Sequence, residues 1–587
     1  MARRELPRRE ARIIALSNFV EEGDFLAEAA VDDVMQFHDD LPADDSTLLS
    51  SDLPAEENNE VLEEVFLRNI DSSDTDSTSE SDQETREDTP SGDHTLRAPN
   101  GFVWSREHDH RGREGRQNVF TGRQGFRRGV HPTSRYESLQ TVFEDCIEST
   151  VHYTNLHGRR MARECGWKPT TRTEINAFIG LHIIAGTFKA AHRKLEELWD
   201  DRNGHPIFRA TMSCERFKQL KSAFRSDDPL RRDRSDPAAP VRACIAMLNA
   251  ALEDLYSPGP FLTVDEQLIE FHGKVKFRRY IPTKPGKFGL LVYWLTDAQN
   301  SFPLKCLLHF GDGTLTQEEK NASSSVPEAI VMHLTRPYLG RGRNVTADNY
   351  FVSSSLSQRL LESNTTLVGT LRNNKREVPA AAKCTRGRTK GDTVHFYRGH
   401  QTLCSYWDKK KCPVILLSTQ HGYQQNIVEG KGDIVQFYNS TKSGVDTLDK
   451  VVRSYSSKRK CRRWPYALFF SMLDAAAFAA FCLMKNATAT NDSHYTFKLE
   501  LGYEMTIPLV KMRASLPTLT RKTMASMKLV GIYPTVHQQC TASSRGRCHL
   551  CDRKKDIKVS KQCASCHHFV CNSHSMITCF CRACQPE

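Results

Sequence analysis

A run of cysteines near the end of the 587-residue chain restricts the fold more than any other feature. Eight of the nineteen cysteines lie between Cys548 and Cys584. Most form ligand pairs separated by two residues: Cys548 and Cys551, Cys563 and Cys566, Cys571 and His574, Cys581 and Cys584. So short a segment has too little core to fold unaided, and eight soft or borderline donors suit two tetrahedral ions. The spacing therefore predicts a module that binds two Zn²⁺.

The four pairs are expected to cross, as in RING and PHD modules, so that pairs one and three bind one ion and pairs two and four the other. The last pair has a competing ligand. A gap of four residues after His574 selects Cys579, whereas pairing with the final cysteine selects Cys581. His567 and His568 are further donors, although a surface position is more common for such histidines.

Charge divides the chain into an acidic arm and a basic body. Residues 21–100 carry 25 acidic and 3 basic side chains, whereas residues 101–587 have a net charge of +29. The arm contains DSSDTDSTSESDQETRED, which predicts disorder and suits an acid-directed kinase. The first residues, MARRELPRREAR, lack the apolar core of a secretory signal, so the cysteines favour metal over disulfides. The basic body indicates nucleic acid as the leading partner.

Hydrophobic periodicity predicts helices over most of 134–258 and a change to β-rich runs at about Phe261. FLTVDEQLIEF, FGLLVYWLTD and PLKCLLHFG indicate three successive strands, and a βββαβαβ order follows as far as TLVGTLR. This order predicts a mixed sheet with helices on its faces. The apolar run at 467–484 is long enough to span a membrane, but Asp474 lies near its middle. We therefore expect a core helix and no membrane association.

Four aspartates have positions that suggest chemistry. Asp265 follows an apolar run inside a predicted interior strand, and Asp348 ends the strand NVTAD before a polar turn, where α/β sheets commonly form sites. Asp446 and Asp449 lie three residues apart in a predicted helix and so share one face. Carboxylates that converge from these elements could hold two divalent ions for in-line attack on a phosphodiester.

Five ordered phrases around these aspartates resemble the piggyBac family of DNA transposases. The phrases are LTVDEQLIEFHGKVKFRRYIPTKPGKFG at 262–289, RNVTADNYF at 343–351, VGTLRNNKREVP at 368–379, YNSTKSGVDTLD at 438–449 and RRWPYALFF at 462–470. The first, second and fourth are similar to the family's blocks around its catalytic aspartates. The resemblance covers most of residues 130–584.

The resemblance implies a multidomain α/β protein. It would have a ribonuclease-H-like catalytic domain with a β-rich insertion, packed on an all-α dimerisation and DNA-binding domain, and the C-terminal zinc-binding cross-brace. The implied enzyme binds terminal inverted repeats, excises the element through hairpin ends and integrates it at TTAA sites. It would act as a homodimer on double-stranded DNA in the nucleus, with two Mg²⁺ or Mn²⁺ ions per active site.

The resemblance also assigns roles to residues. Asp265, Asp348 and Asp446 would be metal ligands, and Asp449 would be a fourth catalytic acid beside them. The predicted DNA contacts are Lys284, Lys287, Arg372, Lys375, Lys458, Arg459, Lys460, Arg462, Arg463 and Trp464. Core packing is the other reading of the tryptophan, and nuclear import is the other reading of the basic cluster at 458–463.

The domain boundaries follow from composition and from the resemblance. We predict an acidic arm at 1–100, a basic arm at 101–130, a helical domain at 131–260 and 457–535, a catalytic domain at 261–372 and 433–456, an insertion domain at 373–432, a linker at 536–547 and a zinc domain at 548–587.

The sequence leaves two rival functions open. A domesticated relative would bind DNA or chromatin without cleaving it, and a zinc-module adaptor would serve ubiquitin transfer or histone recognition. The presence of all four acids favours an enzyme.

Overall fold

The computed structural model describes residues 95–107, 119–407, 412–422, 427–428, 431–488, 491–516, 518–534, 545–563 and 568–575. Residues 1–94 of the predicted acidic arm lie outside the described residues, and so do 108–118 of the basic arm. The same holds for Cys566, His567, Cys579, Cys581 and Cys584. The chain forms two compact units, Met1–Arg193 with Gln219–Met505, and Lys194–Lys218 with Thr506–Glu587.

A mixed sheet forms the centre of the first unit. In chain order its described strands are β1 Thr95–Arg97, β2 Val103–Ser105, β3 Phe261–Glu270, β4 Arg279–Tyr280, β5 Phe288–Asp297, β6 Pro303–Leu308, β7 Arg343–Ala347, β8 Thr365–Leu371, β9 Thr393–Arg398, β10 Gln401–Tyr406 and β11 Val414–Ser418. Their order across the sheet is β1-β2-β9-β10-β11-β8-β7-β3-β5-β4, and β6 also pairs with β5. The predicted succession of three strands, helix, strand, helix and strand is confirmed.

The pairing of β3 opens a cleft beside the end of β7. β3 pairs antiparallel with β5 along its length from Leu262 to Glu270. Its parallel pairing with β7 covers only Phe261 to Val264, because β7 ends at Ala347. Among the described residues, no strand pairs with the second half of β3 on that side, so polar groups can gather there.

The predicted insertion at 373–432 differs from the structure in one respect. Its strands β9, β10 and β11 continue the central sheet, because β11 pairs antiparallel with β8. The hairpin β1–β2 then pairs with β9, and the buried indole of Trp104 donates to the carbonyl of Glu377 at 3.0 Å. These strands satisfy the backbone groups at the edge of β8, so the expected boundary at 373 and the boundary between the two arms at 100 both fall inside one sheet.

Helices make up most of the rest of the described chain. They are α1 Arg135–Cys165, α2 Arg172–Thr187, α3 Pro206–Thr211, α4 Cys214–Ala223, α5 Ala239–Leu255, α6 Gln317–Asn321, α7 Val326–Thr335, α8 Ser354–Glu362, α9 Ala380–Lys383, α10 Asp433–Thr441, α11 Gly444–Ser454, α12 Trp464–Thr488, α13 His494–Ala514 and α14 Arg521–Leu529. Short two-stranded ladders pair Gly125–Phe126 with Tyr256–Ser257, Ile427–Val428 with Lys431–Gly432, and Gly546–Arg547 with Lys558–Val559.

The apolar helix α12 is the core of the helical part of the first unit. It is long and apolar enough to cross a membrane, but its most apolar window is wholly buried inside the protein. The Phe469 ring packs edge-on against Phe143 of α1 and Phe224, with centroids 5.4 Å and 5.0 Å apart. The prediction of a core helix is confirmed. Asp474 is accommodated there because Lys498 of α13 donates to it at 2.7 Å.

The second unit combines segments that the prediction assigned to different domains. Residues 194–218 and 506–535 were expected in the helical domain, but they group with the cysteine-rich segment. The buried ring of Trp199 packs edge-on against Phe208 of α3 and Phe217, with centroids 5.3 Å and 5.1 Å apart. These rings form a small core within residues 199–217, and Arg513 donates to the carbonyl of Arg209 at 3.1 Å, which links this segment to the residues after 506.

Candidate active site

Three carboxylates meet in the cleft where β7 ends. Asp265 and Glu266 lie on β3, and Asp348 directly follows β7. Oxygens from all three lie within 4.8 Å of one another. The backbone N–H of Tyr350 donates to Asp348 at 3.0 Å, which holds this carboxylate at the turn. The structure thus brings together two of the predicted metal ligands and adds a third acid.

These carboxylates repel one another. Burial raises the pKa of Asp348 to about 7, and the charge of Asp265 adds to the shift. Burial, followed by the charges of Glu266 and Asp446, raises the pKa of Asp265 well above its usual value. A cation would allow the group to ionise together, and closely spaced carboxylate oxygens are the ligands that Mg²⁺ and Mn²⁺ prefer. The residues therefore fit a divalent ion.

Helix α11 brings the remaining aspartates to β3. A Cβ atom at Gly444, in its first turn, would lie 2.5 Å from Thr296 Oγ1 and 2.7 Å from Thr263 Oγ1, so glycine permits the close approach. The Thr263 hydroxyl also donates to the carbonyl of Thr441 at 2.6 Å. Because this end of the helix is pinned to the sheet, Asp446, two residues later, lies close enough to Asp265 for their charges to interact.

Asp449 is held by side chains from both the sheet and its own helix. Gln267 Nε2 donates to Asp449 Oδ1 at 2.8 Å, and Arg453 donates to Oδ2 at 3.4 Å. The Gln267 amide in turn accepts from the indole of Trp294 on β5 at 2.9 Å. Asp446 and Asp449, one turn apart, therefore both face β3, as their spacing predicts.

Lys284 is the cation among these acids. Its ammonium lies 3.7 Å from a Glu266 carboxylate oxygen and donates to the Glu266 carbonyl at 3.3 Å. Burial alone would lower the pKa of Lys284, but the charges of Asp265 and Glu266 outweigh burial and raise it. The predicted DNA contact is thus placed inside the acidic cluster.

Sequence reasoning missed Glu266. Successive residues of a strand point to opposite faces, so the alternation separates Glu266 from Asp265. The cleft beside β3 removes that separation, because both carboxylates reach the space left by the end of β7. The sequence signal for Glu266 is that it adjoins Asp265 within one strand.

A second cluster lies in the cysteine-rich segment. The Cys571 sulfur lies 3.6 Å from Cys551 Sγ and 3.2 Å from His574 Nδ1, and Cys548 Sγ lies 3.8 Å from the same nitrogen. A tetrahedral ion with metal–sulfur bonds of about 2.3 Å requires sulfur–sulfur separations of about 3.8 Å. The structure therefore brings pairs one and three together at a spacing that fits one tetrahedral metal.

Of the remaining members of the predicted zinc set, Cys563 and His568 lie among the described residues. Cys563 is described, but its partner Cys566 lies outside the described residues, as does the last pair. The His568 ring stacks on His549 with centroids 4.2 Å apart and contacts Arg521. This histidine thus has other partners.

Comparison with known proteins identifies the family. The model of the family described as Transposase IS4 matches residues 136–481, more than half of the chain. The chain belongs to this transposase family. The matched region contains all four predicted acids.

Individual relatives refine this assignment. The human PiggyBac transposable element-derived protein 3 is 21% identical over 346 residues, which cover 56% of this chain and 57% of that protein. The human Chimeric ERCC6-PGBD3 protein is 21% identical over 56% of this chain and 32% of its own length. The chain thus spans little more than half of the first relative and a third of the second.

A solved structure shares a higher sequence identity with this chain than these two relatives do. The cryo-EM structure of a piggyBac transposase synaptic complex with hairpin DNA superimposes with a TM-score of 0.68 and 29% identity. The match covers 79% of this chain and all of that chain. The predicted resemblance to piggyBac transposases is confirmed, and so is a multidomain α/β architecture.

The predicted DNA contacts lie in different environments. Lys460, Arg462 and Lys287 are exposed. Arg372 is partly buried and donates to Asn349 at 3.3 Å beside the acids, and Lys375 is also partly buried. These positions, other than the hydrogen-bonded Arg372, leave charge available for phosphate.

Two arginines of the same basic segment are used inside the protein. Arg459 is 6% exposed and donates to the carbonyls of Ala190 and Arg193 at 2.7 Å and 2.8 Å. Arg463 donates to the carbonyl of Lys221 at 2.9 Å. The position of Arg459 argues against the predicted DNA contact, because its guanidinium already donates to the backbone carbonyls of the turn at 190–193.

Lys458 and Trp464 connect the basic segment with residues at and after the end of β3. Lys458 donates to the carbonyl of Glu270 at 2.6 Å. Trp464 is partly buried and packs edge-on against Phe277, with centroids 5.2 Å apart. Phe277 follows β3, so the indole is anchored on the loop that leads to Lys284.

Proposed function

We propose that the chain is a cut-and-paste DNA transposase that binds terminal inverted repeats, excises the element through hairpin ends and integrates it at TTAA sites. The observation that carries the proposal is the meeting of Asp265, Glu266 and Asp348 within 4.8 Å beside the end of β7, with Asp446 close enough for its charge to act on Asp265. The order β6-β5-β3-β7-β8, three antiparallel strands followed by two parallel ones, supports a ribonuclease-H-like catalytic domain.

The three aspartates would bind two Mg²⁺ or Mn²⁺ ions. Such ions activate an attacking hydroxyl and stabilise the departing oxygen of a phosphodiester. The chain's own residues would orient the DNA. Lys284 balances the acids before DNA arrives, and its ammonium can donate to a phosphate oxygen at the same cleft. Arg372, directly after β8, would do the same with the guanidinium nitrogens that do not donate to Asn349.

The DNA path would run along cations that the fold leaves accessible. Lys287, Lys375, Lys460 and Arg462 would contact phosphates, because none of their side chains is buried. Trp464, the first residue of α12, would stack on an unpaired base near the cut. A homodimer on DNA, nuclear import through the cluster at 458–463, and phosphorylation of the acidic arm belong to the same proposal.

The cysteine-rich segment would bind zinc and help recognise DNA ends. Three thiolates and an imidazole match the ligands of a structural Zn²⁺ site, and the segment around them carries little apolar core. The remaining ligands would form a second Zn²⁺ site. Exposed basic residues in the segment, among them Arg553, Lys554 and Lys558, favour a phosphate-facing surface.

An excision assay in cells tests the proposal. A marker flanked by the element's inverted repeats should be released, with the TTAA site restored, and Asp265→Ala, Asp348→Ala and Asp446→Ala should each abolish release while gel-shift binding to the ends survives. Asp254→Ala is the matched control, because this carboxylate of α5 is 69% exposed.

Two outcomes would contradict the proposal. Excision that persists in any of the three variants would remove that residue from the site. DNA-end binding by the unaltered protein without any excision would instead indicate a domesticated DNA-binding protein, and the human relative described as transposable element-derived makes that the main rival.

A further inference from the structure

Gln267 lies on β3 two residues after Asp265, and it is 3% exposed. Its side chain connects the core of the sheet with Asp449 on α11. We propose that Gln267 is a positioning residue that, held by Trp294, orients the Asp449 carboxylate for binding a divalent ion. The inference rests on the proposed function and deepens it, because it names the residue that orients the carboxylate of the fourth acid, Asp449.

The direction of the Gln267 amide is determined by its neighbours. A glutamine amide can in general adopt either of two flipped orientations. The indole N–H of Trp294 only donates, so it can meet only the amide oxygen, at 2.9 Å. The amide nitrogen must then face Asp449, where it donates at 2.8 Å to Oδ1. A flipped amide would oppose donor to donor at one end and acceptor to acceptor at the other.

The series of hydrogen bonds from Trp294 through Gln267 to Asp449 begins in the central sheet. Trp294 is 2% exposed and stands directly opposite Asp265 in the register of β3 and β5. Gln267 is therefore fixed by the same pair of strands that carries the first catalytic aspartate. A movement of Gln267 relative to Asp265 would require the central sheet to change, so the sheet fixes the position of the amide that donates to Asp449.

The other partner of Asp449 is weaker. Arg453 donates to Oδ2 at 3.4 Å, and its side chain is 49% exposed. An exposed ion pair between residues four apart on a helix contributes little to orientation, because solvent screens it. Each carboxylate oxygen has a second lone pair, so Asp449 keeps acceptor capacity for a cation while Gln267 holds it.

Mn²⁺ binding to the full-length protein tests the role without turnover. Free Mn²⁺ is measured by electron paramagnetic resonance as the ion is added, and oxygen ligands are the ones that this ion prefers. Gln267→Met should weaken Mn²⁺ binding about tenfold, at the lower end of the 10–100-fold cost of losing an outer partner of a metal ligand. Trp294→Phe keeps an aromatic ring, removes only the donor and should weaken binding by a smaller factor.

Gln401→Met is a matched control. Gln401 is also 3% exposed, and its amide nitrogen donates to Ser354 O and Ser357 Oγ, at 3.1 Å and 2.8 Å. It makes a comparable number of buried hydrogen bonds away from the acids, so its replacement should lower the melting temperature without changing Mn²⁺ affinity. A second readout is the Mg²⁺ dependence of DNA nicking, where Gln267→Met should need more Mg²⁺ to reach half of its maximal rate.

The outcomes separate the inference from the proposed function. Equal Mn²⁺ affinity in Gln267→Met and Gln401→Met would overturn the positioning role and leave the active site standing. Trp294→Phe gives the same comparison if Gln267→Met does not fold. Absence of Mn²⁺ binding by the unaltered protein, with Asp348→Ala indistinguishable from it, would overturn the proposed function and the inference together.

Discussion

Removal of either partner of the buried ion pair between Asp474 and Lys498 should strongly destabilise the helical part of the first unit. The side chains are 0% and 1% exposed, and their charged atoms lie 2.7 Å apart. Asp474 also accepts from the backbone N–H of Ser457 at 2.9 Å and from the hydroxyl of Ser456 at 3.0 Å. Asp474→Ala would leave a buried ammonium without its counter-charge and two donors without an acceptor.

The expected loss follows from these contacts. Removal of one partner of a buried pair costs about 3–5 kcal/mol, because the remaining charge stays desolvated. A loss of about 4 kcal/mol lowers the ratio of folded to unfolded protein roughly a thousandfold. Since domains are stable by only about 5–15 kcal/mol, Asp474→Ala should unfold at a much lower urea concentration.

A double-mutant cycle isolates the charge. Lys498→Met should cost about as much as Asp474→Ala, because it leaves the carboxylate unpaired. The double variant Asp474→Ala/Lys498→Met carries no buried charge, so its loss should be well below the sum of the two single losses. Urea unfolding at pH 7, followed by circular dichroism, gives the three values. Additive losses within about 0.5 kcal/mol, or single losses below about 1 kcal/mol, would refute the reasoning.

Three other predictions concern separate parts of the chain. Arg459→Ala should destabilise the protein, because the buried guanidinium donates to the carbonyls of Ala190 and Arg193. Arg462→Ala should leave urea unfolding unchanged and reduce the salt dependence of DNA binding by about one unit of slope. The reverse pattern would contradict the assignment. Burial lowers the pKa of His182 from 6.5 to about 3. As pH falls below 6.5, the unfolded chain therefore binds a proton at this histidine before the folded protein does. The free energy of unfolding should fall between pH 6.5 and 3, by up to about 1.4 kcal/mol per pH unit. The fall should be shallower in His182→Gln, and equal pH profiles would exclude the histidine as its cause. Cys571→Ser should reduce the zinc content measured by a colorimetric chelator, whereas Cys384→Ser, at an exposed thiol, should not; equal zinc in both would argue against the cluster as a zinc site.

The candidate site was accessible to sequence reasoning where its residues carry local signals. Asp265 and Asp348 stand at the ends of apolar runs, and Asp446 and Asp449 are separated by one helical turn. Such patterns depend only on periodicity, so they predict which acids can share a face. Glu266 carries no comparable signal, because strand alternation assigns it to the opposite face. Its role depends on where β7 stops.

The basic residues at 458–463 show what sequence reasoning could not predict. Arg459 and Arg462 stand in one run of cations, and composition treats them alike. Arg459 is buried because carbonyls of the chain near residue 190 surround its guanidinium, whereas Arg462 remains exposed. A charge run is usually a solvated surface, so the expectation that every member contacts DNA was reasonable. Burial of one member is a property of the packing.

Sequence by itself determined which reactive side chains this protein has and the order of its helices and strands. Cysteine pairs at short spacing, acids at strand ends and the βββαβαβ succession are relations among neighbouring residues, and neighbours in the chain stay neighbours in any fold. Tertiary structure alone decided that β11 extends the sheet at β8, that Glu266 joins the acids and that Gln267 meets Asp449, 182 residues away. Those choices depend on contacts between distant residues, whose free energy depends on packing and burial, which no local pattern contains.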